Sequence, residues 1–91
     1  MLADMLFDQM GIFAIEKFPD AGSIEHLLKL KQEADEAIKS PKDITEYADC
    51  LLALFGAAYK AGFTFKQLLF ASNQKFKVVK QRKWERSASV S

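Results

Sequence analysis

The apolar positions of the chain repeat at the three- and four-residue spacing of α-helices. This spacing predicts a first helix from Leu2 to Phe18, interrupted or bent near Gly11 because glycine is a poor helix former. Its apolar positions are Leu2, Met5, Leu6, Met10, Phe13 and Ile15. A second helix is predicted to begin with Ser23 as its N-cap and to end near Lys39. Its apolar stripe consists of Leu27, Leu30, Ala34 and Ala37.

Two further helices are predicted from capping sequences. Asp43-Ile-Thr-Glu46 has the spacing of a capping box and starts a third helix that extends to Ala61, with Gly62 just after its end. Thr64-Phe-Lys-Gln67 repeats that spacing. It starts a fourth helix that extends to about Trp84.

The connection between the second and third helices, around Ser40-Pro41, is only a few residues long. Short connections favour antiparallel neighbours. The predicted fold is therefore an all-α, four-helix bundle over residues 1–86, with these two helices antiparallel and a frayed tail at 87–91. So small a chain, 49% hydrophobic, leaves apolar surface that a second copy would cover. We expect a homodimer or a homotetramer.

Charge divides the chain into two halves. Residues 1–50 carry eleven Asp and Glu against five Lys, whereas residues 51–91 carry one Glu against eight Lys and Arg. This division suggests a cation site in the first half and an anion site in the second. The longest apolar stretch, Cys50 to Tyr59, is shorter than the ~20 residues that a membrane-spanning helix needs, and no signal-peptide pattern opens the sequence. We expect a cytoplasmic protein without a membrane partner.

Four carboxylates at two repeated spacings are the leading candidates for chemistry. Glu33 and Glu36 lie near the end of the second helix, and Glu46 and Asp49 lie near the start of the third. Residues i and i+3 project from the same side of a helix, so antiparallel packing would bring the two pairs together. Like charges in a partly buried place repel one another unless a cation compensates them. Oxygen donors without His or Cys indicate Mg²⁺ or Mn²⁺ rather than zinc.

Other interpretations of these residues stay open. Carboxylates at this spacing are common on solvated helix faces, and Glu46 could instead complete the capping box of the third helix. The only histidine, His26, follows Glu25, so the Glu-x-x-His pairs of di-iron carboxylate bundles are absent from the sequence. Because Mg²⁺ usually shares its coordination with substrate phosphates, the expected ligand is a phosphate ester or anhydride.

The acidic pairs and the apolar helix after them, residues 50–62, resemble the MazG-like, all-α nucleoside triphosphate pyrophosphohydrolase superfamily. Asn73-Gln-Lys75-Phe76 resembles the Asn-x-Lys-Phe element that follows in many members. The resemblance covers roughly residues 13–84 and is greatest to the small dATP/dGTP pyrophosphohydrolase-like subgroup. The segments that carry this likeness are Phe18-Pro-Asp20, His26-Leu27, Glu46-Tyr-Ala-Asp49, Ala61-Gly62 and Arg82-Lys-Trp84.

The resemblance implies Mg²⁺-dependent hydrolysis of a nucleoside triphosphate between its α and β phosphates, which releases a monophosphate and pyrophosphate. Purine deoxynucleotides are the substrates expected from the subgroup. One of the first two carboxylates could orient the attacking water. By the family pattern, the metal ligands and catalytic residues are Glu33, Glu36, Glu46 and Asp49.

Four residues outside the acidic pairs are candidates for substrate binding. Asn73 and Lys75 belong to the matched element and could bind phosphate. His26 and Lys29 lie on the same helix face as Glu33 and could also contact the substrate, although a partly buried structural histidine is the more common arrangement. The aromatic residues that could stack on a base, but whose spacing is more typical of a core or an interface, are Phe7, Phe13, Phe18 and Trp84.

An alternative function is a catalytically impaired helical interaction module that binds nucleotide or nucleic acid through its basic C-terminal helix. The residues of that basic patch are Lys75, Lys77, Lys80, Arg82, Lys83 and Arg86. Cations near a helix C-terminus also complement the helix dipole. The pI calculated from the sequence is about 7.8, which is lower than that of typical nucleic-acid-binding domains. Nucleic acid is therefore the weaker expectation for a partner.

Overall fold

The computed structural model describes residues 2–82, and within that range it contains four α-helices and no strand. The helices are α1 (Leu2–Lys17), α2 (Ser23–Lys39), α3 (Ile44–Lys60) and α4 (Phe65–Gln81). The predicted all-α, four-helix architecture is confirmed. The fourth helix ends at Gln81, with Arg82 in an extended conformation, and so stops short of the predicted end near Trp84. Trp84 itself and the predicted tail at 87–91 lie outside the described residues.

Side-chain caps fix the starts of α3 and α4 where the sequence predicts them. The Asp43 carboxylate accepts hydrogen bonds from the backbone N–H and the hydroxyl of Thr45, at 3.0 and 2.6 Å, and these bonds lower its pKa. At α4, the Gln67 N–H donates to the Thr64 hydroxyl and the Thr64 N–H donates to the Gln67 side chain, at 3.1 and 2.9 Å. Gly62, just after α3, has a left-handed φ of +92°, which glycine adopts without strain.

The N-cap predicted at Ser23 and the interruption of α1 predicted at Gly11 are both wrong. Ser23 is the first helical residue of α2, and the N-cap is Gly22, whose N–H donates to the Glu25 carboxylate at 3.0 Å. The cap contact therefore comes from within the helix and not from a serine hydroxyl. Gly11 does not interrupt α1, which runs through it. A Cβ at Gly11 would overlap the ring of Tyr59, so this glycine allows α1 and α3 to pack closely.

The core forms where α1, α3 and the first turn of α4 meet. Phe7 of α1 is fully buried, and its ring lies 5.2 Å from that of Phe55 and 5.8 Å from those of Tyr59 and Phe65, centroid to centroid. These tilted and edge-to-face arrangements are the ones that aromatic rings prefer. The other buried apolar residues are Ala14, Ala53, Ala57 and Ala58.

The most extensive helix contact joins α2 and α3. His26, in the first turn of α2, lies beside Gly56 late in α3, where a Cβ would come within 3.3 Å of the imidazole Nδ1. Glu33, in the second half of α2, lies near Glu46 and Asp49 at the start of α3. The pairing of these helices therefore sets the positions of the candidate site residues.

Large apolar side chains remain on the surface of the single chain. On α1 they include Leu2, Met5, Ile12 and Ile15, and on α4 they include Leu69, Phe70, Phe76 and Val78. No residue of α4 is buried, and Phe65 and Leu68 of this helix pack against the core. Between residues 2 and 82, no helix has the length and apolar character to span a membrane.

Candidate metal centre and ligand cavity

Carboxylates from two helices come together where α2 packs on α3. One oxygen atom from each of Glu33, Glu46 and Asp49 lies within 4.8 Å of the other two. Glu33 and Glu46 are partly buried, and Asp49 is exposed. Hard oxygen donors at this spacing fit a divalent cation such as Mg²⁺. We refer to these three residues as the acidic group.

Glu46 is available to this group because it does not cap its own helix. The Asp43 N–H, which a capping box would pair with Glu46, donates instead to the Ser40 carbonyl at 3.0 Å. Several other carboxylates lie near Glu46, and a bound cation would reduce the repulsion among them. The pKa of the Glu46 carboxyl is raised by partial desolvation and then by the charges of Asp43, Asp49, Glu36 and Glu33.

Glu36 lies apart from the acidic group. Its side chain is 56% exposed and its carboxylate lies 3.5 Å from the ammonium of Lys39, whereas the side chain of Glu33 is only 15% exposed. Three residues along a helix turn the side-chain direction by about 60°. That rotation is enough to turn Glu36 towards solvent while Glu33 faces α3. The structure therefore brings together three of the four predicted ligands, and a metal-binding role for Glu36 stays a prediction.

Lys29 is bound to the acidic group. Its ammonium lies 2.9 Å from Glu33, and this hydrogen bond, followed by the charges of Glu33, Asp49 and Glu36, raises the pKa of Lys29. The Lys29 side chain is more than half exposed, so it is accessible to a ligand as well. The predicted proximity of Lys29 and Glu33 on one helix face is thus present in the structure.

A cavity of about 470 Å³ lies beside the acidic group, between α1, α2 and α3. Cavities of this size accommodate nucleotide-sized ligands. Its charged lining residues are Glu25, Lys29, Glu33 and Asp49. Its apolar lining residues are Met10, Phe18, Ala21, Leu52 and Ala53. The cavity therefore combines a charged part with an apolar part.

His26 also lines this cavity and is only 8% exposed. Its Nε2 atom is buried and has no hydrogen-bond partner among residues 2–82. Burial and the nearby charge of Lys60 lower the pKa of His26, and the charge of Glu25 opposes them only in part. The imidazole is therefore neutral near pH 7.

Lys60 holds the wall of the cavity, a role that the sequence does not indicate. Its ammonium donates hydrogen bonds to the carbonyls of Phe18 and Ala21, at 2.8 and 2.7 Å. These bonds tie the α1–α2 connection to the last turn of α3. Because the partners lie about 40 residues away in the chain, no local spacing signals the contact. The lining residues Met10, Leu52 and Ala53 carry no sequence signal of a ligand site either, because apolar positions on a helix usually indicate a core.

The two predicted phosphate contacts on α4 lie elsewhere. Asn73 and Lys75 are both exposed and do not line the cavity of their own chain. The structure therefore brings four of the eight candidate residues to the cavity, and a fifth, Glu46, joins two of them in the acidic group. The four at the cavity are His26, Lys29, Glu33 and Asp49.

The chain matches a known protein family over almost its whole length. A family model described as dATP/dGTP pyrophosphohydrolase matches residues 6–90, almost the whole chain. No curated protein and no solved structure matches the chain. The resemblance inferred from the acidic pairs and the segments around them is therefore confirmed.

Proposed function

Because the chain belongs to the dATP/dGTP pyrophosphohydrolase family, we propose that it hydrolyses purine deoxynucleoside triphosphates between the α and β phosphates. The products are the deoxynucleoside monophosphate and pyrophosphate. A single observation carries the proposal: one carboxylate oxygen from each of Glu33, Glu46 and Asp49 lies within 4.8 Å of the other two. Glu33 and Asp49 also line the neighbouring cavity, which has the size of a nucleotide site.

We propose Mg²⁺ as the cofactor, with Mn²⁺ as a substitute. The acidic group would hold it through the carboxylates of Glu33, Glu46 and Asp49. The donors fit such a cation because all of them are carboxylate oxygens, and because partial desolvation and neighbouring carboxylates raise the pKa of Glu46. When bound, the cation supplies positive charge that neutralises the phosphates and stabilises the leaving pyrophosphate.

The chain's own groups have separate roles in the proposed reaction. The ammonium of Lys29, now bound to Glu33, contacts the phosphates of the substrate. Glu36, which lies outside the acidic group, is the candidate for orienting the attacking water and accepting its proton. The water oxygen bonds to the α-phosphorus as the bond to the bridging oxygen of the β phosphate breaks. The electron pair of that bond leaves with the pyrophosphate.

We infer that α2 and α3 run antiparallel, as the short connection predicts. Three contacts support this arrangement. His26 near the start of α2 lies beside Gly56 late in α3, and Glu33 in the second half of α2 approaches Glu46 and Asp49 near the start of α3. The two helices thus contact each other in opposite chain order, and the acidic group depends on that order.

We propose that a second copy of the chain covers the exposed apolar side chains of α1 and α4, giving a homodimer or a homotetramer. Sedimentation velocity at micromolar concentration should then give a mass of two or four times the 10.3 kDa of the chain. Phe70→Glu, which puts a charge on a 66% exposed apolar position of α4, should dissociate the assembly. Gln74→Glu, at an exposed polar position of the same helix, is the matched control. A folded parent protein that sediments as a monomer would contradict the proposal.

Asn73 and Lys75 fit this assembly as phosphate contacts between copies. Because they do not line the cavity of their own chain, we propose that they contact substrate held by a neighbouring copy. Their exposure on α4, the helix with the fewest contacts in the single chain, supports this arrangement.

Product analysis tests the reaction directly. We expect dATP and dGTP, incubated with the protein and Mg²⁺ in water labelled with ¹⁸O, to yield the monophosphate and pyrophosphate, with the label only in the monophosphate. Attack at the α-phosphorus requires this distribution, because the water oxygen stays on the phosphorus that it attacks. A matched reaction with a chelator in place of Mg²⁺ should give no product. Release of orthophosphate with a diphosphate, or of triphosphate with a nucleoside, would exclude the proposed reaction.

A further inference from the structure

We propose that Nε2 of His26 donates a hydrogen bond to a purine ring nitrogen of the substrate, in the apolar part of the cavity. The inference rests on the proposed function for the identity of the substrate. It adds to that function a residue that determines base specificity.

The first observation is an unmet hydrogen-bonding group. His26 is more than nine-tenths buried, and in the part of the chain that the structure describes its buried Nε2 atom has no hydrogen-bond partner. Buried polar atoms in proteins are nearly always paired, because leaving one unpaired costs free energy. His26 lines the cavity, so a ligand that enters the cavity can complete the missing bond.

The second observation is that the imidazole is held in place before any ligand binds. Gly56 leaves space for the ring, and the ring of Phe18 lies edge-on to it with 6.3 Å between the centroids. Phe18 is in turn held by the hydrogen bond from Lys60 to its carbonyl. A ring held between two neighbours, Gly56 and Phe18, loses little freedom when it forms a hydrogen bond, which favours recognition.

The third observation is the position of His26 relative to the acidic group. His26 and Glu33 are seven residues apart on α2, which is two turns and about 10 Å along one face of the helix. Lys29 lies between them. If the phosphates of the substrate lie at Lys29 and the acidic group, the separation of about 10 Å between Glu33 and His26 leaves room for the sugar. The base then lies beside His26. The side chains of Met10 and Phe18 there suit a flat aromatic ring.

The chemistry of the two purines indicates which atom the imidazole contacts. Adenine and guanine differ at position 6, where one carries a donor and the other an acceptor, but they share ring nitrogens such as N7 that only accept. A single contact that serves both bases must therefore be a donor. A neutral imidazole carries one N–H group. When that hydrogen is on Nε2, the imidazole donates the hydrogen bond to the purine.

Substrate analogues test the contact on the unmodified protein. We expect replacement of N7 or N3 by carbon, in 7-deaza-dATP or 3-deaza-dATP, to lower kcat/KM by about tenfold for one of the two analogues. In His26→Phe, which keeps a flat ring without a donor, dATP and that analogue should be hydrolysed equally well. Equal rates for dATP and both analogues on the parent protein would overturn the inference, and so would a penalty that persists in His26→Phe.

A second measurement requires neither a variant nor hydrolysis. His26 is the only histidine in the chain, so ¹⁵N labelling of histidine gives one assignable pair of ring nitrogen signals. We expect dAMP and dGMP to shift the Nε2 signal by several ppm, whereas pyrophosphate with Mg²⁺ leaves it in place. An Nε2 signal that does not move at nucleotide concentrations that saturate backbone amide shifts would overturn the inference. If the signal moves but no triphosphate is cleaved, the inference stands and the proposed reaction fails.

Discussion

Asp49→Asn and Glu33→Gln are each expected to lower kcat for hydrolysis of dATP or dGTP by about a hundredfold or more. Each substitution removes one negative charge while nearly preserving the shape of the side chain. Both residues belong to the acidic group and line the cavity. The loss should therefore come from weaker cation binding and weaker stabilisation of charge on the leaving pyrophosphate. Steady-state kinetics, with pyrophosphate as the measured product, give the result.

Controls separate this effect from a change in folding. Asp35→Asn, at an exposed position on α2 outside the acidic group, should leave kcat unchanged. Circular dichroism should show the same helix content in all variants. Titration with Mn²⁺ should show weaker binding to Asp49→Asn than to Asp35→Asn. If Asp49→Asn and Glu33→Gln both hydrolyse dATP at nearly the parent rate, the acidic group is not the catalytic centre.

Phe7→Ala is expected to lower the free energy of unfolding by about 3–5 kcal/mol. Among residues 2–82, Phe7 is the one large side chain that is fully buried. Its ring contacts those of Phe55, Tyr59 and Phe65 and so joins α1 to α3 and α4. Truncation would leave a cavity at the point where these helices meet. Domains of this size are stable by only about 5–15 kcal/mol, so the variant would lose much of its stability.

Urea unfolding followed by circular dichroism measures this loss. The parent and the variant should be compared at one protein concentration, because association also contributes to apparent stability. Phe63→Ala is the matched control: it removes the same side chain at a 55% exposed position outside the helices. We expect that control to cost less than about 1 kcal/mol. A similar loss for the two variants would show that the core is not centred on Phe7.

The features that could be predicted from the sequence are those set by neighbouring residues. Asp43 and Thr64 cap their helices through hydrogen bonds that span two or three residues, so their local sequences are sufficient. Gly62 takes a left-handed conformation that ordinary residues avoid. The spacing of Glu46 and Asp49 also puts them on the same side of α3 without any information from the rest of the chain.

Other features depend on which helix face meets a partner, and only the tertiary structure decided them. Glu33 and Glu36 form one i, i+3 pair, and the spacing alone does not tell which of them faces α3. In the structure α3 covers Glu33 and leaves Glu36 in solvent. The sequence allows a break at Gly11, whereas the packing of Tyr59 explains why a glycine is there.

Long-range contacts likewise decided the character of the cavity. The bonds from Lys60 to the α1–α2 connection and the burial of Nε2 of His26 join segments that are far apart in sequence. Helix periodicity indicates which residues share a face, but it carries no information about what that face will meet. The helical type of the elements, the starts of α3 and α4 and the ligand chemistry of the acidic pairs were therefore set by the sequence alone. The membership of the acidic group and the unpaired nitrogen in the cavity arise only when α1, α2 and α3 pack together.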